Sequence, residues 1–214
     1  MVEQLSNQTV GGGSIPTPSL QIRPITKKEA APVINQYHYS KNVPAGKNIY
    51  FGCFVGELLY AVAIYGIGVN NNGPAFLART LNLDVTVKNS LELKRLARIE
   101  PKIDSAPLTK FLSICHRLLK KDGYRFIVSY SDPDFNPAGG IYAASNFKLI
   151  GMTSAETDIL NEHGLKINRR TLLHWRNRQR DLTGTMMTID EACAVRGFTK
   201  IKTQPKKRWF LEIK

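Results

Sequence analysis

Two apolar runs, Ile49 to Val55 and Leu58 to Ile67, are separated only by Gly56-Glu57, and this pairing constrains the fold more than any other stretch. A two-residue link containing glycine between strand-forming runs is the mark of a tight hairpin. The second run is apolar on both faces, so it reads as a central strand with neighbours on both edges and layers on both sides. It is also the longest apolar run of the chain. At about half of the roughly 20 residues that a membrane-spanning helix needs, it predicts no membrane span.

Periodicity and stop signals supply the flanking elements. Ser19 to Pro24 reads as a short strand, and Thr26 with Glu29 three positions on reads as a capping box opening a helix towards Tyr37. Gly68 to Pro74, with three consecutive Asn, is expected as a loop, and Leu91 to Ile99 as a strand. Leu108, Phe111, Leu112, Cys115, Leu118 and Leu119 form a helical stripe within Ser105 to Lys121, closed by Asp122-Gly123. Tyr124 to Tyr130 follows as a buried strand, Gly139 to Phe147 as a short helix and Lys148 to Met152 as a further strand. Residues 1–18, rich in Gly, Ser, Thr and Pro, are expected to be a flexible leader.

Charge then narrows the partners. Among 214 residues, 30 Lys and Arg face 17 Asp and Glu, a formal net charge of +13. No long cationic amphipathic stretch accompanies this excess, so it points to nucleic acid rather than to a membrane surface. Cys53, Cys115 and Cys193 are scattered and lack C-x-x-C spacing, which indicates neither a disulfide framework nor a thiolate zinc site and suggests a reducing compartment.

The order strand, helix, hairpin, strand, helix, strand, helix, strand resembles that of the GNAT-type N-acyltransferases. The expected fold class is therefore α/β of the α+β type: a mixed central sheet flanked by helices. The core spans 19–152, and Arg208 to Ile213 is the candidate returning strand within a terminal segment 208–214. That leaves 153–207 as an insertion before the last strand. Within it, Lys166 to Arg180 holds six basic residues and no acidic one, so it is the expected DNA-recognition element. Arg169, Arg170, Arg176, Arg178 and Arg180 are the candidate phosphate contacts, Trp175 a stacking surface, and Lys206, Lys207 and Arg208 helpers.

Three separated motifs carry a more specific resemblance. They are Tyr37-His38-Tyr39-Ser40, Leu93-Lys94-Arg95-Leu96, and the run VSYSDPDFNPAGGIYAASNFKLI from Val128 to Ile150. In this order they resemble the Mom family of bacteriophage DNA-modification proteins. The resemblance implies conversion of the exocyclic amine of adenine in double-stranded DNA to a carbamoylmethyl derivative, protection of phage DNA from restriction, and a location in the bacterial host's cytoplasm. It carries over His38, Tyr39, Asp132 and Tyr142 as the reacting set, with Ser40, Arg95, Ser129, Ser131 and Asn146 around substrate and donor.

The chemistry of these residue types agrees with that reading. Adenine's amine is a poor nucleophile because its lone pair is delocalised, so a carboxylate such as Asp132 would help by accepting its proton as the new bond forms. The bland alternative is that Asp132 caps the following helix. Tyr142 is the candidate proton donor to the leaving group, and His38 a candidate base or iron ligand. Tyr37, Tyr39, Tyr130 and Tyr142 could include a platform for an extruded base.

The donor is read from a departure. Where acyl-CoA enzymes carry a Gly-rich pyrophosphate turn, this chain has Glu100-Pro-Lys-Ile-Asp-Ser105. Proline lacks a donor and two carboxylates repel phosphate, which favours glycyl-tRNA over acetyl-CoA. Two other functions compete: an acyltransferase acting on a protein or small amine, and a non-catalytic DNA-binding protein on the same fold.

Overall fold

A computed structural model describes residues 20–68, 72–104, 106–135, 138–167 and 169–213. The leader 1–18 and Asn136-Pro137 lie outside the described residues. The chain begins with β1 (Leu20–Pro24) and α1 (Lys27–Tyr37), whose N-terminus carries the expected capping box. There the Glu29 backbone N–H donates to the Thr26 hydroxyl at 3.2 Å, and Thr26 N–H donates to the Glu29 carboxylate at 2.6 Å. The hairpin follows as β2 (Asn48–Val55) and β3 (Leu58–Gly66), turning at Gly56 with φ +60. β3 is the most buried strand, with Ala61, Val62, Ala63, Ile64 and Tyr65 all at 0% exposure, as its two apolar faces require.

The segment after β3 departs from expectation. Instead of continuing as a loop, the chain enters α2 (Asn72–Leu81), which buries Leu77 against Val85, Phe126 and Phe210. Asn72, Gly73 and Pro74 look like loop residues, yet they occupy the first turn, where a proline's missing N–H costs nothing. Next come β4 (Ser90–Arg98), α3 (Leu108–Lys121), β5 (Phe126–Ser131), α4 (Gly140–Ala144) and β6 (Lys148–Met152).

The chain then forms β7 (Thr157–Leu160), β8 (Lys166–Ile167), α5 (Arg169–Thr183), α6 (Ile189–Val195) and β9 (Thr199–Lys202) before β10 (Lys207–Glu212). β10 starts one residue earlier than read from sequence and lies between β5 and β6, antiparallel to both. The main sheet therefore runs β1-β2-β3-β4-β5-β10-β6, and the segment between β6 and β10 builds its own sheet, β8-β7-β9. This smaller unit has a core of Ile159, Leu172, Ala192 and Cys193. Its two connecting strands are tied together where they leave the core: Thr153 N–H donates to the Lys206 carbonyl at 2.8 Å, and Lys206 N–H to the Thr153 hydroxyl at 3.0 Å.

Candidate active site

The sheet prepares the site through one imperfect junction. β4 and β5 run parallel and pair only from Ser90 to Glu92 against Phe126 to Val128. Where the ladder stops, the Ser129 hydroxyl donates to the Leu93 carbonyl at 2.9 Å. Beyond it each strand pairs only with its outer neighbour, β3 or β10, so the two diverge. Into this gap opens a cavity of about 300 Å³ whose lining includes His38, Tyr39, Arg95, Ser131, Asp132, Phe135 and Tyr142. Residues remote in sequence thus meet at one sheet opening, each delivered by a different element: the end of α1, the middle of β4, the end of β5 and the start of α4.

Asp132 ends β5, and its side chain is 16% exposed. One carboxylate oxygen accepts the Asp134 backbone N–H at 3.2 Å, and the other lies 3.3 Å from Lys206 Nζ. It caps a turn and not α4, whose N-cap is Gly139. Among the described residues, two of its roughly four lone-pair positions are left for a proton from substrate.

Tyr142 stands on a rigid support. Its ring stacks on Trp209 with centroids 5.6 Å apart, and its hydroxyl lies near the Ser129 side chain. Burial is the main cause that pushes its pKa up, so it is a protonated phenol at neutral pH. Trp209 in turn donates its indole N–H to Ser131 at 2.9 Å, which makes Ser131 a brace for the wall. Gly139 has φ +65, and a Cβ there would stand 2.3 Å from the Trp209 ring, so only glycine allows this approach.

His38 has a different role from the one read in sequence. The Ser40 backbone N–H donates to His38 Nδ1 at 3.1 Å, with the Ser40 hydroxyl at 2.9 Å. Nδ1 is therefore an acceptor, and the neutral ring carries its proton on Nε2. Burial first, then the charges of Arg95 and Lys41, push its pKa down to about 4. A ring with its free nitrogen protonated offers no lone pair, which contradicts both the base and the iron-ligand assignments; His38 is a hydrogen-bond donor. Among the described residues no group of three His, Cys, Asp or Glu is placed to hold a metal ion.

Two buried histidines give the fold an acid-sensitive term. His116, in α3, packs edge-on to Tyr65 and Phe147, and burial pushes its pKa to about 4 as well. Between pH 6.5 and 4 the unfolded chain binds more protons at these sites than the folded one, so their contribution is complete above pH 6.5 and is lost on descent. Thermal melts over that window are expected to show falling stability, on the order of 1 kcal/mol per pH unit and histidine. His116→Gln should flatten the slope.

Other assignments also change. Asn146 has φ +64 just past α4 and is absent from the cavity lining; it ends the helix, a position suited to Asn. Arg95 lies in the cavity wall, its guanidinium donating to the Asn42 and Lys94 carbonyls at 3.3 and 2.7 Å. In the inserted unit, Trp175 packs against the small core beneath Arg196 and is no open stacking surface. Arg176 is half-buried, its Nε without a hydrogen-bond partner among the described residues, because one face of α5 must seal that core. Arg169, Arg170, Arg178 and Arg180 are all exposed, and Arg180 also pairs with Asp181 at 2.8 Å. Of the terminal cations, Lys206 bridges to Asp132 and Arg208 lies 4.3 Å over Phe76. Lys207 opens β10.

Sequence reading passed over Phe135 and Glu92. Phe135 is 60% exposed and stacks on Tyr39, centroids 4.2 Å apart, at the cavity. An aromatic in a turn rich in Asp and Pro was the available signal. Tyr39's hydroxyl pKa is pushed up by burial first, then by Asp132, with Arg95 opposing.

A mixed sheet that opens between parallel β4 and β5 and is flanked by helices on both faces defines the GNAT-type N-acyltransferase fold. Solved structures agree on fold: an N-acyl amino acid synthase from uncultured soil microbes, 13% identical, covers 94% of this chain and 93% of its own with TM-score 0.51. The ribosomal-protein-S18-alanine N-acetyltransferase of Escherichia coli, 11% identical, covers 91% and 94% with TM-score 0.50. Within that class the chain belongs to the Mom protein family, whose pattern matches residues 19–212. A relative, methylcarbamoylase mom of Escherichia phage Mu, is 27% identical over 152 residues, 70% of this chain. The matched region spans 60% of that relative's length.

Proposed function

We propose that this chain is a phage transferase that converts the exocyclic amine of adenine in DNA to a carbamoylmethyl derivative, shielding phage DNA from restriction in the host cytoplasm. The observation that carries this reading is the meeting of Asp132 and Tyr142 in one cavity at the β4–β5 opening. Asp132 accepts the amine proton, the His38 Nε2–H and Arg95 stabilise negative charge, and Tyr142 supplies a proton to the leaving oxygen. Tyr39 and Phe135 offer an exposed stacked pair for an extruded base.

Glycyl-tRNA is the donor we favour. The adenine nitrogen attacks the glycyl carbonyl, and the ester bond to the tRNA ribose breaks as that oxygen gains a proton. The new glycyl amine then attacks ring carbon six through a five-membered spiro intermediate. Cleavage of the bond from carbon six to the original nitrogen releases that nitrogen as a primary amide, with no redox step. The β4–α3 loop supports this choice: the Ile103 N–H donates to Tyr60 at 2.9 Å and the Ala106 N–H to Ile103 at 3.1 Å, while Pro101 and Pro107 have none. Proline offers a pyrophosphate no amide, and Glu100 and Asp104 in the same loop repel it. The fold shared with acetyltransferases favours acetyl-CoA as the second reading. Incubation of purified protein with DNA and labelled glycyl-tRNA is expected to carry glycine label into deoxyadenosine. Label absent from DNA, with acetyl-CoA sustaining the reaction, would refute the tRNA donor.

DNA is proposed to lie against the inserted unit through Arg169, Arg170 and Arg178. Removing one cation from a phosphate lowers the slope of log K against log salt by about 0.9. The Arg169→Ala, Arg178→Ala double variant should therefore flatten that slope by roughly one to two units, measured by fluorescence anisotropy.

A further inference from the structure

A second cavity, of about 340 Å³, lies on the α2 side of the sheet and shares Tyr130 with the first. Its apolar wall includes Ile67, Phe76 and Val128, and its polar groups include Arg79, Glu92 and Arg208. We infer that this cavity binds an adenine nucleotide, with the base beside Phe76, its amine edge on Glu92 and its phosphate between Arg79 and Arg208. The choice of adenine rests on the proposed function; the site itself rests on four observations.

Glu92 is a carboxylate in the cavity wall that makes no hydrogen bond or ion pair with any described residue. Lys94, Arg95 and Lys206 act on it only through their charge. A cavity carboxylate that no described side chain occupies leaves its acceptor positions open to a ligand's N–H. Burial is the largest influence on Glu92 and raises its pKa, and its oxygens remain acceptors suited to an amine N–H.

Gly68 keeps that carboxylate open. A Cβ there would stand 3.1 Å from Glu92 Oε2, and Gly68 has no left-handed backbone requirement that would otherwise explain it. Phe76 is 38% exposed, and the Arg208 guanidinium lies 4.3 Å from its centroid, so an aromatic face and a cation stand side by side in the cavity wall, a surface suited to a base with its phosphate. Arg208 also lies near Tyr130, whose hydroxyl it influences by charge, and Tyr130 lines both cavities.

Calorimetric titration of the whole protein with AMP, IMP and inorganic phosphate tests the site. IMP has the same size as AMP but replaces the amine by a carbonyl that would face Glu92. AMP is expected to bind at least tenfold more tightly than either. Gly68→Leu, which covers the carboxylate, and Glu92→Ala, which removes it, should each weaken AMP at least tenfold; the second keeps the test decisive if the first fails to fold. Equal affinity for AMP, IMP and phosphate, or AMP binding untouched by both variants, would overturn the assignment. AMP that displaces a labelled oligodeoxynucleotide identifies the acceptor strand as the source of the adenine, and displacement of labelled tRNA identifies the donor's terminal adenosine. Because the titration needs neither DNA nor donor, failure of adenine modification leaves its result standing.

Discussion

Asp132→Asn is expected to reduce adenine modification by about 100-fold or more while leaving DNA affinity within about twofold, because a positioned proton acceptor contributes roughly 10²–10⁴ in rate. Asn keeps the size of the side chain and can still accept the Asp134 N–H through its carbonyl oxygen, so the turn at the end of β5 survives. What disappears is the anionic acceptor, together with the ion pair to Lys206. Single-turnover rates alongside anisotropy titrations separate the two effects. Lost rate with retained binding identifies a catalyst, while unchanged rate would remove Asp132 from the chemistry. A DNA-binding protein without catalysis would have no rate to lose.

The largest structural loss is expected from Trp209→Ala. Its indole is 6% exposed, stacks on Tyr142, packs on Gly139 and donates to Ser131. Removing a buried aromatic of this size costs about 3–5 kcal/mol, and Ser131 would lose its donor in the same step. Tyr142 would lose the surface that fixes its ring, so modification should fall further than stability alone explains. Trp209→Phe restores part of the stack without the N–H and is expected to recover most of the stability. Chemical denaturation of both variants, compared with their modification rates, reads these contributions. A Trp209→Ala protein as stable as the parent would contradict a structural role for the indole.

Much of the frame was legible because single residues announce it. Gly56-Glu57 between two apolar runs marks the hairpin, Thr26 and Glu29 mark the start of α1, and Asp122-Gly123 marks the end of α3. The cavity residues His38, Tyr39, Arg95, Asp132 and Tyr142 were likewise visible as motifs. What sequence could not supply was the state of each group. The Ser40 N–H fixes the His38 tautomer, a backbone interaction that no residue type reveals. Trp175 and Arg176 look like a nucleic-acid surface until α5 is seen to seal a small core with that face. Glu92 sits among Lys94 and Arg95 in a strand, which reads as a solvated edge; it becomes a cavity carboxylate because α2 covers that face. Since α2 begins with loop-like residues, its concealment also hid the second cavity.

Mass spectrometry of the nucleosides in DNA from a host expressing this protein tests the central claim most directly. A deoxyadenosine carrying one added carbamoylmethyl group, present with the parent protein and lost with Asp132→Asn, is the expected result. Unmodified deoxyadenosine throughout, with the folded protein present, would contradict the assignment of the β4–β5 cavity as an adenine-modifying site.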